Sequence, residues 1–383
     1  MTQRPELYAK SSSIIALRQK GTAPRDMAER VRRVQSELEL QPESYRNSIV
    51  LQACRDLIGE SANRRGQFAL KDFVRTEFDR TPDDRLARYL FYRYRYDMFP
   101  LENRIDDYPP CLQVEVTSVC NYRCLFCYQT DRTFTHAANG NNMGTMPMHR
   151  FKAVIDQAQG HIEAIGISCR GEPLACPTIK EMLAYASGKF LALKLNTNAW
   201  FLDERMSHAI LSADLGTVVF SADAASEPLY SQYRVHGKLD RVLKNIERFQ
   251  QIRQKEYPHS QVITRVSGVR HPESPSLDDM ESLWGALVDQ VVFVAYNPWE
   301  KTYEMPVHSL KPPCSDLWRR LFVWFDGKYN PCDVDYLSKL SVGTFPELSL
   351  TQVWRSDAYE RMRANHLAGR RSEHAPCNRC VLV

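Results

Sequence analysis

Val116-Thr-Ser-Val-Cys120-Asn-Tyr-Arg-Cys124-Leu-Phe-Cys127-Tyr128 decides how the rest of this chain is read. Three cysteines at spacings of four and three follow an alternating apolar segment, Leu112, Val114 and Val116. Period-two alternation predicts a strand, so the cysteines fall in the loop that leaves its C-terminal end. Three thiolates on one tight loop can hold three irons of a four-iron cubane and leave the fourth iron open. A zinc loop is the competing reading. Structural zinc takes four protein ligands, and C-x3-C-x2-C is not its usual pairing.

Working outward, 383 residues suffice for two or three domains with a sizeable core. Hydrophobic and charged fractions of 43% and 25% are ordinary for a globular chain. No apolar run reaches the length of a membrane span, so no membrane partner is expected. Met1-Thr-Gln-Arg-Pro-Glu6 has no apolar signal region, which makes the expected location cytoplasmic. The net charge of +4 gives no ground for a nucleic-acid partner. Residues 1–100 hold 19 Lys and Arg against 14 Asp and Glu, so the basic excess is N-terminal.

Eleven cysteines, an odd number gathered in clusters, fit metal ligation better than a disulfide framework. Seven form two sets: Cys120, Cys124 and Cys127, then Cys314, Cys332, Cys377 and Cys380. Cys54, Cys111, Cys169 and Cys176 are read as buried or idle thiols.

Residues 1–105 read as a mainly helical domain of unassigned role. Met27, Val31, Val34 and Leu38 have helical spacing, as do Val50, Cys54 and Leu57, and Thr81-Pro82-Asp83-Asp84 suits a helix entry. Phe91-Tyr-Arg-Tyr-Arg-Tyr96 alternates with period two and leaves strand or helix open. Its tyrosines are expected to pack and its arginines to be solvated, although aromatics interleaved with cations can also stack on bases. Pro100 and Asp106-Asp-Tyr-Pro-Pro110 mark a linker. Strands at 112–116, 164–168, 191–196, 216–221, 261–266 and 290–294 alternate with helical patterns, which predicts a parallel α/β domain over 106–300. Residues 301–383 lose that alternation and hold the second cysteine set.

The three-cysteine loop, with an aromatic before its last cysteine, resembles the signature of the radical S-adenosylmethionine (SAM) superfamily. That resemblance implies a partial (β/α)6 TIM-like barrel and a [4Fe–4S] cluster on Cys120, Cys124 and Cys127 whose open iron chelates SAM. It also implies reduction by a one-electron donor such as flavodoxin or ferredoxin, and cleavage of SAM to methionine and a 5′-deoxyadenosyl radical. Phe126 takes the place that meets the adenine. Gly171-Glu172-Pro173 looks like the family's G-G-E-P segment for the methionyl ammonium, with Arg170 in place of the first glycine. Asn196 and Ser221, at the ends of the third and fourth strands, are placed to meet ribose hydroxyls or carboxylate; either could instead cap the following helix. Arg265 is the candidate partner for the SAM carboxylate.

Trp324-Phe-Asp-Gly327-Lys-Tyr-Asn-Pro331-Cys332, Leu350-Thr-Gln-Val-Trp354 and the closing C-x2-C resemble the SPASM/twitch region of the same superfamily. Four cysteines fit one auxiliary [4Fe–4S] cluster with every iron ligated, suited to electron transfer; a zinc site is the alternative. This arrangement resembles radical SAM aminocyclitol dehydrogenases. The function implied is oxidation of a small polyhydroxylated substrate, a sugar, nucleotide sugar or aminocyclitol. Epimerisation, dehydration and peptide modification are the other possibilities. Asp333, Asp335, Asn297 and Glu300 have polarity to hold a substrate, and no catalytic acid or base is identified.

Overall fold

The computed structural model describes residues 7–8, 14–19, 26–60, 66–136, 142–271 and 276–383. The N-terminal part holds β1 (Ile14–Gln19) and helices α1 (Met27–Glu39), α2 (Tyr45–Leu57), α3 (Asp72–Arg80) and α4 (Leu86–Glu102). Asp26 and Ser44 open α1 and α2 by accepting the Glu29 and Asn47 amides. Residues 91–96, ambiguous in sequence, lie inside α4. Both residue types in that segment are buried, contrary to the expectation of solvated arginines. Arg93 pairs with Asp97 at 2.6 Å, and Arg95 with Asp106 at 2.5 Å and the Tyr108 carbonyl. Burying a guanidinium is tolerable only when it is paired in this way.

From residue 111 the chain forms β2 (Cys111–Val114), β3 (Arg123–Cys124), α5 (Arg132–Thr135), α6 (Met148–Ala158), β4 (Ala164–Ile167), α7 (Ile179–Ala186), β5 (Ala192–Thr197) and α8 (Glu204–Ser212). It continues with β6 (Thr217–Ser221), α9 (Glu227–Tyr233), β7 (Arg234–Val235), α10 (Leu239–Glu256), β8 (Ile263–Arg270), α11 (Leu277–Leu287) and β9 (Gln290–Ala295). The C-terminal part adds β10 (Arg320–Val323), β11 (Tyr329–Asn330), α12 (Leu350–Trp354) and α13 (Asp357–Leu367).

Nine strands make one sheet in the order β1-β9-β8-β6-β5-β4-β2-β10-β11. The six strands expected from the sequence are all present and run parallel. The sheet does not close, which matches a partial barrel. Three further strands extend it: β1 lies antiparallel on β9, β10 lies parallel on β2, and β11 lies antiparallel on β10. The C-terminal part is therefore continuous with the barrel through its backbone hydrogen bonds.

Leu193 and Leu195 sink into the core beneath the outer helices, so Lys194 and Asn196 take the opposite, concave face of β5. The N-terminal helices pack against Cys111 and Ala164, with Ala192 beside them, which are the first residues of β2, β4 and β5. They form a floor under the N-terminal strand ends. The cysteine loop lies at the other end. No helix among the described residues is long and apolar enough to cross a membrane.

Candidate active site

The loop after β2 is pinned on both sides. The Ser118 amide donates to the Gly144 carbonyl at 2.9 Å, and the Gly144 amide returns a bond to Ser118 Oγ at 2.8 Å. Within the loop, β3 pairs with β7, and the Leu125 amide donates to the Tyr233 carbonyl at 3.0 Å. Burial pushes the Cys120 thiol up to about 12 and Cys124 up to about 11, and raises Cys127 further. Each also feels another cysteine of the set. The three therefore converge, in a place where protein alone does not favour three thiolates and bound iron would. Among the described residues no three His, Cys, Asp or Glu side chains close around a single ion. A cubane, with its irons spread apart, does not require that.

Arg234 was invisible to sequence reasoning. Its Nη1 lies 4.0 Å from Cys124 Sγ, and its Nη2 pairs with Asp223 at 2.5 Å. It reaches the loop through the β3–β7 pairing from 110 residues away, and no spacing rule carries that signal.

Gly171 fits because it lacks a side chain: a Cβ there would come within 2.4 Å of the Thr117 carbonyl oxygen. Glu172 is buried and braces neighbouring loops. Its carboxylate accepts from Thr197 Oγ1 at 2.6 Å, the Asn198 amide at 2.7 Å and the Leu174 amide at 3.0 Å. These three internal donors occupy the carboxylate that the resemblance assigned to the SAM ammonium. Pro173 begins the short helical turn that follows. Asn196 presents a buried Oδ1 that no donor satisfies, as expected of a residue that awaits a ligand. Ser221 ends β6 on the same face, opposite Ser267 of β8.

Arg265 corrects the expectation. It lies near the start of β8, where its Nε donates to Gln290 Oε1 at 2.8 Å and its Nη2 lies 3.7 Å from Glu77 of the floor. It shares a row with Asn196 through Val219, but these contacts draw its side chain toward the floor and away from the cysteine loop. The strand, expected to end at 266, runs on to Arg270.

Arg170, the departure from G-G-E-P, locks the mouth to the C-terminal part. It pairs bidentately with Glu115 at 2.6 and 2.7 Å, donates to the Tyr336 carbonyl at 2.9 Å and stacks on Trp324 at 4.3 Å. Cys169 before it adopts φ +121°, a conformation that favours glycine. Tyr128 Oη, donating to the Cys169 carbonyl at 3.1 Å, helps to hold it there.

Cys332 and Cys377 are raised by burial and feel each other and Cys314; Cys377 also feels Cys380. The second set thus converges as well. The Cys314 amide donates to Nδ1 of fully buried His366 at 3.2 Å. Asp335 is absorbed by internal partners: Tyr303, Asn330 at 3.1 Å and the Lys339 and Leu340 amides at 2.9 and 2.7 Å. Tyr336 stacks on Tyr128 with ring centroids 4.9 Å apart, joining the two cysteine regions. Aromatic contacts run on from Phe126 through Tyr233 and His271 to Tyr296, whose hydroxyl donates to Glu300 Oε1 at 2.7 Å. Glu300 Oε2 is buried with no partner. Asn297 is buried close by in sequence, just past β9.

The radical SAM superfamily model matches residues 114–269, and an iron–sulfur cluster-binding (SPASM) domain matches 314–381. A GTP 3′,8-cyclase of Campylobacter fetus is 30% identical over 147 residues, which is 38% of this chain and 43% of that protein. An AdoMet-dependent heme synthase of Methanosarcina barkeri is 25% identical over 187 residues, 49% of this chain and 51% of the relative. The chain thus spans about half the length of these curated relatives. A structure of BtrN in complex with AdoMet and 2-DOIA superposes with a TM-score of 0.47 at 16% identity, covering 70% of this chain and 92% of that one. With an open three-cysteine loop in one matched region and four converging cysteines in the other, the chain is a radical SAM protein with a C-terminal SPASM domain, and its cofactors are SAM and [4Fe–4S] clusters.

Proposed function

We propose that the protein is a radical SAM oxidoreductase that oxidises an alcohol of a small polyhydroxylated substrate. What supports this reading is a second set of four cysteines, enough to ligate every iron of one cluster, on a region joined to the three-cysteine loop through Arg170, Tyr336 and Tyr128. When bound, the first cluster with SAM supplies a 5′-deoxyadenosyl radical that takes a hydrogen atom, and the second supplies an acceptor for the electron an oxidised alcohol gives up.

The chain's own residues position and protect. Gly171 lets the backbone of the β4 loop lie close against the cluster loop, and Glu172 ties that loop to the end of β5. Asn196 and Ser221 offer polar groups on the concave face, and Phe126 an aromatic surface at the rim. Glu300 Oε2, buried and unpartnered, is the group we assign to take the substrate hydroxyl proton. The aromatic residues Phe126, Tyr233 and Tyr296 on one side and Tyr128 and Tyr336 on the other wall the chamber and keep stray hydrogen donors from a radical.

Peptide-modifying relatives often carry a separate N-terminal leader-binding domain with a small sheet. Among the described residues the one strand before residue 105, β1, lies on the edge of the barrel instead. The deciding experiment incubates anaerobically reconstituted enzyme with SAM, a one-electron reductant and a panel of sugars, nucleotide sugars and aminocyclitols. A ketone two hydrogens lighter than its substrate supports oxidation; an isomer of unchanged mass, a dehydrated product or a modified peptide would replace it.

A further inference from the structure

The floor end of the concave face holds a concentration of positive charge that SAM chemistry at the mouth does not use. Lys194 is its centre. In register it pairs with Thr217 on β6 and with Gly166 on β4, over which the Gln113 carboxamide lies. Among the described residues no hydrogen bond or ion pair involves Lys194, whose side chain is half-buried. The charged and titratable groups around it are Arg265 on β8, Arg320 on β10, Cys111 on β2 and Glu77 on α3.

The available counter-charges are already engaged. Glu77 faces Arg265 at 3.7 Å. Asp316 lies 3.9 Å from both Arg319 and Arg320, and Arg320 Nη2 also donates to Tyr96 Oη at 2.6 Å. Burial, then Arg265 and Arg320, push the Lys194 ammonium down to about 8. An ammonium desolvated beside two guanidiniums is unfavourable unless an anion joins it. One layer nearer the mouth, Asn196 Oδ1 is buried without a donor, so a hydroxyl-bearing ligand lying above the lysine would satisfy it. Three residues of strand separate Lys194 from Thr197 at the mouth, roughly 10 Å, the length of a sugar-sized molecule.

We propose that Lys194, backed by Arg320 and Arg265, forms an oxyanion subsite on the lumen floor that takes a phosphate or carboxylate group of the substrate. The subsite rests on the lumen being the substrate chamber of the proposed function. It narrows the polyhydroxylated substrate to an anionic one, a sugar phosphate or a sugar acid. It also gives the N-terminal helices a role, because Glu77 of α3 and Tyr96 of α4 hold the arginines in place.

The test needs no turnover. Reconstituted, SAM-bound protein without reductant is titrated calorimetrically with inorganic phosphate and, separately, with acetate, in wild type, Lys194→Met and Lys194→Arg. Lys194 is half-buried, and iron content with circular dichroism verifies that each preparation is folded before titration. Wild type should bind one anion per chain, Lys194→Met at least tenfold more weakly and Lys194→Arg within about threefold of wild type. Phosphate bound in preference to acetate assigns a phosphate group, and the reverse a carboxylate. If neither anion binds wild type, or Lys194→Met binds them equally well, the subsite does not exist. SAM cleavage is measured on separate aliquots of each preparation after a one-electron reductant is added. Its loss in wild type would overturn the radical reading while leaving the anion result to stand by itself.

Discussion

The two ends of the barrel strands handle buried charge in opposite ways. At the mouth each buried ion has a partner: Arg170 has Glu115, Arg234 has Asp223, and Glu172 has three donors. At the floor, cations outnumber their carboxylates and Lys194 has none of its own. The mouth is thus a rigid frame whose ion pairs and Glu172 hold the cofactor loops in place. The floor is a site whose electrostatics are completed by something that arrives.

The largest effect should follow from breaking the frame. Arg170→Met leaves Glu115 buried and unpaired and should cost about 3–5 kcal/mol in chemical denaturation. Adding Glu115→Gln should recover part of that loss. A single-variant cost below about 1 kcal/mol would mean that this pair does not hold the mouth. Glu172→Ala removes an acceptor of three hydrogen bonds and should cost about 2–3 kcal/mol. It should also weaken SAM binding, read by equilibrium dialysis, while phosphate binding at the floor stays unchanged.

At the floor the sign is reversed. The Lys194 ammonium is depressed from 10.5 to about 8, so between those pH values the unfolded chain binds the proton that the folded chain has lost. Wild-type stability should therefore rise relative to Lys194→Met as pH climbs from about 8 to 10.5 in phosphate-free buffer. A parallel pair of stability curves would show that the lysine is not desolvated. The smallest effect is expected at Cys169, where glycine would relieve φ +121° and stabilise by no more than about 1 kcal/mol, with iron content unchanged.

What the sequence disclosed follows the same division. The cysteine loop, Gly171-Glu172-Pro173 and the six parallel strands were legible because each is local: a spacing, a turn or a period-two run. Arg234, Glu115 with Arg170, and the β10 strand that joins β2 came from segments far apart in the chain, and local pattern carries no record of them. Residues 91–96 stayed open between strand and helix because period-two alternation along a helix that is buried nearly all round mimics a strand. The floor drew residues 77, 194, 265 and 320 from four separate elements. Lys194 alone in a strand looks like any solvated lysine, and the contacts of Arg265 with Gln290 and Glu77 leave no mark in its own segment.

Iron content and SAM cleavage, measured together in wild type and in Cys120→Ala/Cys124→Ala/Cys127→Ala, test the two-cluster reading most directly. Wild type should hold about eight irons per chain and release 5′-deoxyadenosine on reduction, and the triple variant should hold about four and release none. Iron near zero with zinc near one in the native protein, or continued SAM cleavage by the triple variant, would contradict it.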